Sequence, residues 1–148
     1  MWNEPDQSEW IECELAQILM MTDALTSPQV IVLREKRGVR TLMLHIGLCE
    51  ALAINRRVHG EAMTRPMTHD LMQSMVEALG ARVARMAVSA LKEDGDGNGT
   101  YYGFIVLERD GMETVVDCRP SDGVALAVRA ECPIFVAGAV LDAVAGER

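Results

Sequence analysis

The sequence has few aromatic residues and fewer basic residues than acidic ones. Six of its 148 residues are aromatic, two each of Trp, Tyr and Phe, so it lacks the interleaved stacking surfaces that hold single-stranded nucleic acid. It has 14 Lys and Arg residues against 22 Asp and Glu residues, a net charge of -8 at pH 7. This excess of negative charge argues against a general nucleic-acid coat that binds by neutralising phosphates. Any contact with nucleic acid must therefore be local.

Long apolar segments are also missing. No apolar run approaches the roughly 18 residues that a membrane-spanning helix needs. Residues 1–9 are polar and acidic, without the basic and apolar regions of a secretory signal. We therefore expect a cytoplasmic protein that makes no contact with a membrane.

The four cysteines show no CxxC spacing, and each lies in an apolar stretch. This pattern is typical of reduced thiols in a core rather than of disulfides or metal ligands. The residues concerned are Cys13, Cys49, Cys118 and Cys132.

The rest of the composition is that of a globular domain. Hydrophobic residues make up 49% of the chain and charged residues 24%, and 148 residues can bury one core but not two ordinary ones. We expect a polar N-terminal tail at residues 1–11 and a single domain at 12–148.

Hydrophobic periodicity predicts an α+β protein. Alternating or β-branched apolar runs predict strands, and apolar residues at helical spacing predict helices. The expected strands lie at 13–21, 29–35, 39–46, 82–91, 101–108, 113–118 and, as a short addition, 134–136. The expected helices lie at 48–60, 68–80, 121–129 and, as a last turn or two, 139–144.

The two halves of the sequence resemble one another. Residues 45–54 align with residues 117–126, which places Glu50 on Asp122, and the letters VIVL before the first segment match FIVL before the second. This likeness predicts a duplicated strand-strand-strand-helix unit, and a chance similarity of two hairpins is the alternative. Six antiparallel strands would then form a barrel-like sheet with the helices packed outside. The expected halves lie at about 13–60 and 83–131.

One segment resembles a known metal loop only in part. The letters DGDGNG at 94–99 match the opening of a calcium loop, with oxygen ligands at alternate positions and glycine at the sixth. The twelfth position is Ile105 instead of a bidentate Glu, so we interpret the segment as a hairpin tip. The sequence also lacks the motifs of phosphate loops, dinucleotide sites, hydrolase elbows and helical zinc sites.

Several polar residues lie where a helix is expected to begin. Helix N-termini stabilise carboxylates through unpaired N–H groups and the helix dipole, so a purely structural role is one explanation. The other is that the duplicated halves bring carboxylates together around a hard divalent cation, which would activate water and offset phosphate charge. Histidine would then transfer protons, and arginine would bind a phosphate or pair with a neighbouring carboxylate. The residues concerned are Glu50, His69, Asp70, Asp117, Arg119 and Asp122.

Three motifs follow one another along the chain, IGLCEA at 46–51, RPMTHDL at 65–71 and VDCRPSDGVALA at 116–127, and CPI follows the last. They resemble the IGxxEA, RPxTHDL and VDxRPSDxxALA motifs of the bifunctional nuclease family, a DNase and RNase domain of bacteria and plants. Order and spacing agree over residues 12 to 145. The resemblance implies an α+β barrel-like fold with an internal duplication, and a homo-oligomer, for which we favour a dimer.

The resemblance also implies a function, the cleavage of DNA and RNA. The leading hypothesis is therefore a metal-dependent nuclease that hydrolyses phosphodiester bonds of both nucleic acids. The alternative is a non-catalytic oligomeric ligand-binding or scaffolding module, in which the motif residues are helix caps and ion pairs. The implied site residues are His69, Asp70 and Arg119 for catalysis, and Glu50, Asp117 and Asp122 as ligands of Mg²⁺ or Mn²⁺.

The sequence departs from the family pattern at two places. TLMLH at 41–45 stands where the family usually has Leu-Pro-Ile-Trp, which removes a bulky aromatic residue beside the first motif. Gly123 replaces the usual alanine, which lowers helix propensity by about 1 kcal/mol. From these departures we expect a looser or altered site.

Overall fold

Seven strands and four helices make up the part of the chain that the computed structural model describes, residues 10–20, 28–93, 95, 97 and 99–145. Most of the predicted tail, residues 1–9, lies outside the described residues, as do residues 94, 96 and 98 of the predicted hairpin tip. The strands are β1 (Trp10–Leu19), β2 (Gln29–Glu35), β3 (Thr41–Ile46), β4 (Arg82–Glu93), β5 (Gly99–Arg109), β6 (Met112–Cys118) and β7 (Ile134–Ala137). The helices are α1 (Leu48–Val58), α2 (Thr68–Ala78), α3 (Pro120–Ala130) and α4 (Gly138–Ala145).

The strands form one curled, mixed sheet in the order β3-β2-β1-β7-β4-β5-β6, a half-barrel. Neighbouring strands are antiparallel except β4 and β7, which run parallel, with Met86 opposite Ile134. The α+β prediction is confirmed, but the six-stranded antiparallel sheet is wrong in strand number and in one strand direction. The reason is that the short strand expected at 134–136 is part of the sheet centre, where Ile134 and Val136 are buried.

Strand β1 begins at Trp10, earlier than the predicted strand at 13–21 and inside the predicted tail. Trp10 and Ile11 pair with Ala137 and Val136 of β7. Their strand partner is thus distant in sequence, and local periodicity gives no sign of it.

One face of the sheet carries the helices and the main core. Leu33 and Leu42 of the sheet, Ile54 of α1 and Leu126 of α3 are all fully buried there. Helix α3 is the most enclosed helix, with seven of its eleven residues buried, and it contacts α1, α2, β4 and β5. Helices α1 and α2 are therefore positioned by their contacts with α3.

The apolar residues at helical spacing that predict α2 form a stripe along the helix, and most of this stripe faces solvent. It consists of Leu71, Met72, Met75, Val76 and Leu79. Leu71, Met75 and Leu79 are 53%, 58% and 69% exposed. Val76 is the part of the stripe that packs against the core. The stripe thus gives α2 an uncovered apolar surface in the single chain.

The opposite face of the sheet holds a smaller apolar cluster. Ala87, Phe104 and Val106 are buried there, and the rings of Trp10 and Phe104 meet edge to face with their centroids 5.7 Å apart. Both faces of the strands β4 and β5 therefore carry apolar packing.

The two predicted halves have the same element order, since β1, β2, β3 and α1 correspond to β4, β5, β6 and α3. A common order does not establish that the two units superpose, so the duplication stays a prediction. No helix among the described residues is both long enough and apolar enough to cross a membrane.

A charged network closes the turn between β2 and β3. Arg40 donates from Nη2 to Oε1 of Glu35 at 2.6 Å, and its backbone N–H donates to Oε2 at 2.9 Å. Arg40 also donates from Nη1 to Oδ1 of Asp142 in α4 at 2.6 Å. The hydrogen bond from the Arg40 side chain is the main reason that the pKa of Glu35 lies below its ordinary value.

This network predicts an acid-sensitive contribution to stability. Because the pKa of Glu35 is lower in the folded state, its stabilisation is complete above the pKa of an unfolded Glu and disappears as the pH falls through the folded pKa. Glu35→Gln should lower Tm at pH 7, and the gap to wild type should close as the pH falls below about 4. The measurement is Tm against pH for both proteins. Glu93→Gln, at the exposed end of β4, is the control and should leave the profile unchanged; a constant gap at all pH values would contradict the assignment.

Candidate functional site

Three helix starts meet at one end of the helical layer. Glu50 lies in the first turn of α1, His69 in the first turn of α2 and Asp122 in the first turn of α3. Helix α3 contacts both α1 and α2, which brings these side chains together. Pro120 at the first turn of α3 leaves Arg119 extended, with φ -68° and ψ 143°, as expected for a residue that precedes proline.

Arg119 links the two matched carboxylates. Its Nε donates to Oδ2 of Asp122 and its Nη2 to Oε1 of Glu50, both at 2.9 Å. The hydrogen bond to Asp122 is the main reason that the pKa of Arg119 lies above its ordinary value. The side chain of Arg119 is 68% exposed and that of Glu50 is 15% exposed, so the guanidinium lies on the solvent side of the carboxylates.

His69 completes this group, which we call the Arg119 cluster (Glu50, His69, Arg119 and Asp122). Its Nε2 lies 3.0 Å from Oδ1 of Asp122, while the other carboxylate oxygen accepts from Arg119. His69 is 8% exposed, although it is near the beginning of an otherwise exposed helix. One carboxylate thus orients both a histidine and an arginine.

Asp70 lies next to the Arg119 cluster but has different partners. Its Oδ2 accepts the backbone N–H of Met67 at 2.7 Å, which caps the start of α2. Its Oδ1 forms an ion pair with Nη1 of Arg129, near the end of α3. Asp70 therefore joins α2 to α3 and positions the neighbouring His69.

Asp117 is the one predicted site residue that lies apart from the others. It is exposed on β6 opposite Phe104 of β5, and Phe104 belongs to the smaller cluster on the helix-free face. The next residue, Cys118, faces α3, where its Sγ would lie 3.0 Å from a Cβ added at Gly123. Because side chains alternate along a strand, Asp117 and the Arg119 cluster are on opposite faces of the sheet.

The predicted metal ligands do not form a donor set in this structure. The carboxylates of Glu50 and Asp122 share a guanidinium, and Asp117 is on the other face of the sheet. Within the described part of the chain, no group of three or more His, Cys, Asp and Glu side chains is arranged to hold a metal ion. The Mg²⁺ or Mn²⁺ site stays a prediction without a geometric basis here.

A cavity of about 600 Å³ lies beside the Arg119 cluster, and His69 and Asp70 line it. We call it the arginine cavity. It is bounded by the second half of α1, the linker that leads to α2, one side of α2 and the end of α3. Its charged lining residues, besides Asp70, are Arg56, Arg57, Arg65, Arg129, Glu61 and Glu77.

Four arginines and three carboxylates give the lining a formal charge of +1, in a chain whose net charge is -8. Arg56, Arg57 and Arg129 are not among the site residues predicted from the sequence. The two adjacent arginines in the last turn of α1 could have indicated a basic surface from the sequence alone. The role of Arg129 could not be predicted from the sequence, because it depends on the contact between α2 and α3.

The two departures from the family pattern lie at different distances from the site. His45 stands at the end of the TLMLH segment, exposed and on the face opposite the buried Leu44 and Ile46, so the missing aromatic residue would be on the helix-free face. At Gly123 an added Cβ would lie 2.8 Å from Cε and 2.9 Å from Cγ of Met86, which is fully buried. The glycine therefore permits close packing of α3, and the looser or altered site stays a prediction.

The cysteines follow the prediction in part. All four are free thiols, and burial is the main reason that the pKa of Cys13 rises to about 11 and that of Cys118 to about 12. Cys49 is exposed on the surface of α1, so its assignment as a core thiol is wrong.

Comparisons with known proteins agree with the motifs. The family model described as bifunctional nuclease domain matches residues 31–147. Two similar relatives are uncharacterized proteins from two strains of Mycobacterium tuberculosis, each 39% identical over 112 residues. The match covers 76% of this chain and 63% of each relative, so the chain spans less than two thirds of the curated relatives that it matches.

The close packing at Gly123 predicts the effect of a substitution. Gly123→Ala should raise helix propensity by about 1 kcal/mol but should cost ~1–3 kcal/mol through overpacking against Met86, for a net loss of stability. The measurement is the free energy of unfolding from denaturant titration. In a Met86→Ala background the same change should cost less, because the two closest contacts are gone and the one with Sγ of Cys118 at 3.0 Å remains. A more stable Gly123→Ala single variant would refute the packing explanation.

Proposed function

Because the chain belongs to the bifunctional nuclease domain family, we propose that it hydrolyses phosphodiester bonds of nucleic acid at the Arg119 cluster. The observation that carries this proposal is the 3.0 Å contact between His69 and Asp122, whose carboxylate also binds Arg119. A histidine oriented by a carboxylate beside an exposed guanidinium is an arrangement suited to proton transfer next to a bound phosphate.

The proposed reaction uses each member of the Arg119 cluster. A water molecule gives a proton to His69 as its oxygen attacks phosphorus, the bond to the leaving oxygen breaks, and that oxygen takes a proton from solvent. Asp122 orients the imidazole and stabilises the imidazolium that forms. Arg119 offsets the negative charge that develops on the phosphoryl oxygens. Asp70 is a positioning residue, since it caps α2 and fixes the helix turn that carries His69.

Glu50 holds the second side of the guanidinium, which keeps Arg119 directed towards the cluster. Mg²⁺ or Mn²⁺ remains part of the hypothesis from the family resemblance, and carboxylates are suitable ligands for both cations. A metal at Glu50 and Asp122 would have to compete with Arg119 for their oxygens. The alternative function, a non-catalytic ligand-binding or scaffolding module, would use the same contacts as ion pairs between helices.

We also propose that the chain forms a homodimer through the exposed stripe of α2. Leu71, Met75 and Leu79 follow one another at four-residue intervals, so they lie on one side of the helix. An apolar surface of this kind on a small domain marks an interaction site. A second copy would cover the stripe with the same residues, as the symmetry of a dimer requires.

The nuclease proposal predicts a large loss of activity without a large loss of stability. His69→Gln, Asp122→Asn and Glu50→Gln should each lower the cleavage rate of labelled DNA and RNA, and the first two by about 100-fold or more. The loss of helix N-terminal electrostatics should cost Asp122→Asn only about 0.3–1 kcal/mol of stability. The measurements are cleavage rate and Tm on the same preparations, freed of contaminating nuclease and assayed with EDTA, Mg²⁺ or Mn²⁺.

Asp117→Asn is the matched control, because it removes a carboxylate on the opposite face of the sheet. Its rate should equal that of the wild type. Unchanged rates in all the cluster variants would refute the proposal and favour the scaffolding module. A rate that falls only with Asp117→Asn would favour a site on the other face.

The dimer proposal predicts the effect of a charge in the stripe. Met75→Lys should convert a dimer into a monomer in light scattering at micromolar concentration, because burying an unpaired ammonium group is costly. Met112→Lys is the matched control, since Met112 is 73% exposed at the β5–β6 hairpin. A monomeric wild type, or a dimer that survives Met75→Lys, would contradict the proposal.

A further inference from the structure

The arginine cavity holds positive groups that the proposed reaction does not use. Within the described residues, Nε of Arg129 is the buried side-chain nitrogen that has no hydrogen-bond partner. A buried N–H without an acceptor is costly, and guanidinium groups bind phosphate through two parallel N–H groups. Arg129 is already held in place by the ion pair between its Nη1 and Asp70, so the N–H groups of its Nε and Nη2 are fixed in direction.

Two further arginines add charge at the rim. Arg56 lies at the end of α1 and Arg65 in the linker before α2, and neither forms an ion pair with another described residue. Arg57, by contrast, is directed towards α3, with Nη2 3.4 Å from Oε1 of Glu131. Arg56 and Arg65 thus have no carboxylate partner among the described residues, and Arg129 adds the donors that its ion pair with Asp70 does not use.

The size and the lining of the cavity restrict what could enter. A volume of about 600 Å³ is that of a small-ligand pocket and is far too small for a duplex. No Phe, Tyr or Trp among the described residues lines the cavity, so the imidazole of His69 is the one ring there on which a base could stack. The recognisable feature of a ligand would therefore be its phosphates.

We propose that the arginine cavity binds a one- to two-nucleotide stretch of single-stranded nucleic acid by its phosphates, independently of base identity. The proposal deepens the nuclease function and rests on it for the class of ligand. His69 and Asp70 line the cavity while His69 also belongs to the Arg119 cluster, so a strand held in the cavity continues towards the reacting group. The cavity would then select flexible single strands and ends over continuous duplex.

The experiment measures binding in EDTA, which prevents metal-dependent cleavage, and chromatography after each titration verifies that the dinucleotides are intact. The probes are the DNA dinucleotide of two thymidines with a 5′-phosphate, the same dinucleotide without the 5′-phosphate, the DNA dinucleotide of two deoxyadenosines with a 5′-phosphate, and a short blunt DNA duplex. Each is titrated by calorimetry. We expect the wild type to bind both phosphorylated dinucleotides with similar Kd, and to bind the unphosphorylated one and the duplex more weakly. The affinity should fall with rising salt, as phosphate binding does.

The variants test which arginines bind the phosphate. Arg65→Gln and Arg129→Gln should each raise Kd by about tenfold. Arg37→Gln is the matched control, because Arg37 is likewise exposed in a linking turn but lies away from the cavity, and it should leave Kd unchanged. Arg129→Gln also leaves Asp70 without its ion pair, so the Tm of that variant is measured as well. If Arg129→Gln does not fold, Arg65→Gln alone tests the proposal.

The possible results separate this proposal from the nuclease proposal. No binding by the wild type, equal losses in Arg37→Gln and Arg65→Gln, or a strong preference for adenine would overturn the cavity assignment. If cleavage depends on His69 but Arg65→Gln does not change the KM for the nucleic-acid substrate, the cavity assignment is overturned and the nuclease proposal stands. Phosphate-dependent binding through Arg65 in a protein without cleavage activity would support the cavity and overturn the nuclease.

Discussion

The burial of α3 against the sheet is the constraint on which the rest of the site depends. The first turn of α3 supplies Asp122, and its last turn carries Arg129. Arg119 is the residue that directly precedes the helix. Small residues, Gly123 foremost, let the helix approach Met86 closely enough to fix both of its ends. The Arg119 cluster therefore lies at the first turn of α3 and the arginine cavity at its last turn, so a shift of α3 would disturb both.

Local pattern was sufficient for most elements but not for their assembly. The apolar periodicities predicted the four helices and all seven strands to within a few residues, because most of these segments bury one side. The short strand β7 carried too little signal to predict its central place, and its parallel partner β4 is far away in sequence. For α2 the apolar pattern predicted the helix correctly but not its surroundings, since most of its apolar stripe is exposed and the pattern does not indicate what packs against it.

The site residues could be predicted as a group but not by their contacts. Five of the six candidates are near helix starts at one end of the helical layer, which the motif positions indicated. Asp117 was grouped with them by nearness in sequence to Arg119, yet strand alternation places it on the other face of the sheet. The bridging of two carboxylates by Arg119 depends on the packing of α1 against α3, and no spacing in the sequence encodes that distance.

The position of β7 also bears on how the chain folds. Within the described sheet, β7 is the only strand that joins the β1–β3 group to the β4–β6 group, and it is the last strand along the chain. During synthesis both groups therefore keep an open edge, on β1 and on β4, until residues 134–137 have left the ribosome. Such edges are prone to pair with other chains, and contacts so distant in sequence form slowly. The strand that completes the sheet thus also ends the period in which the nascent chain is most exposed to aggregation.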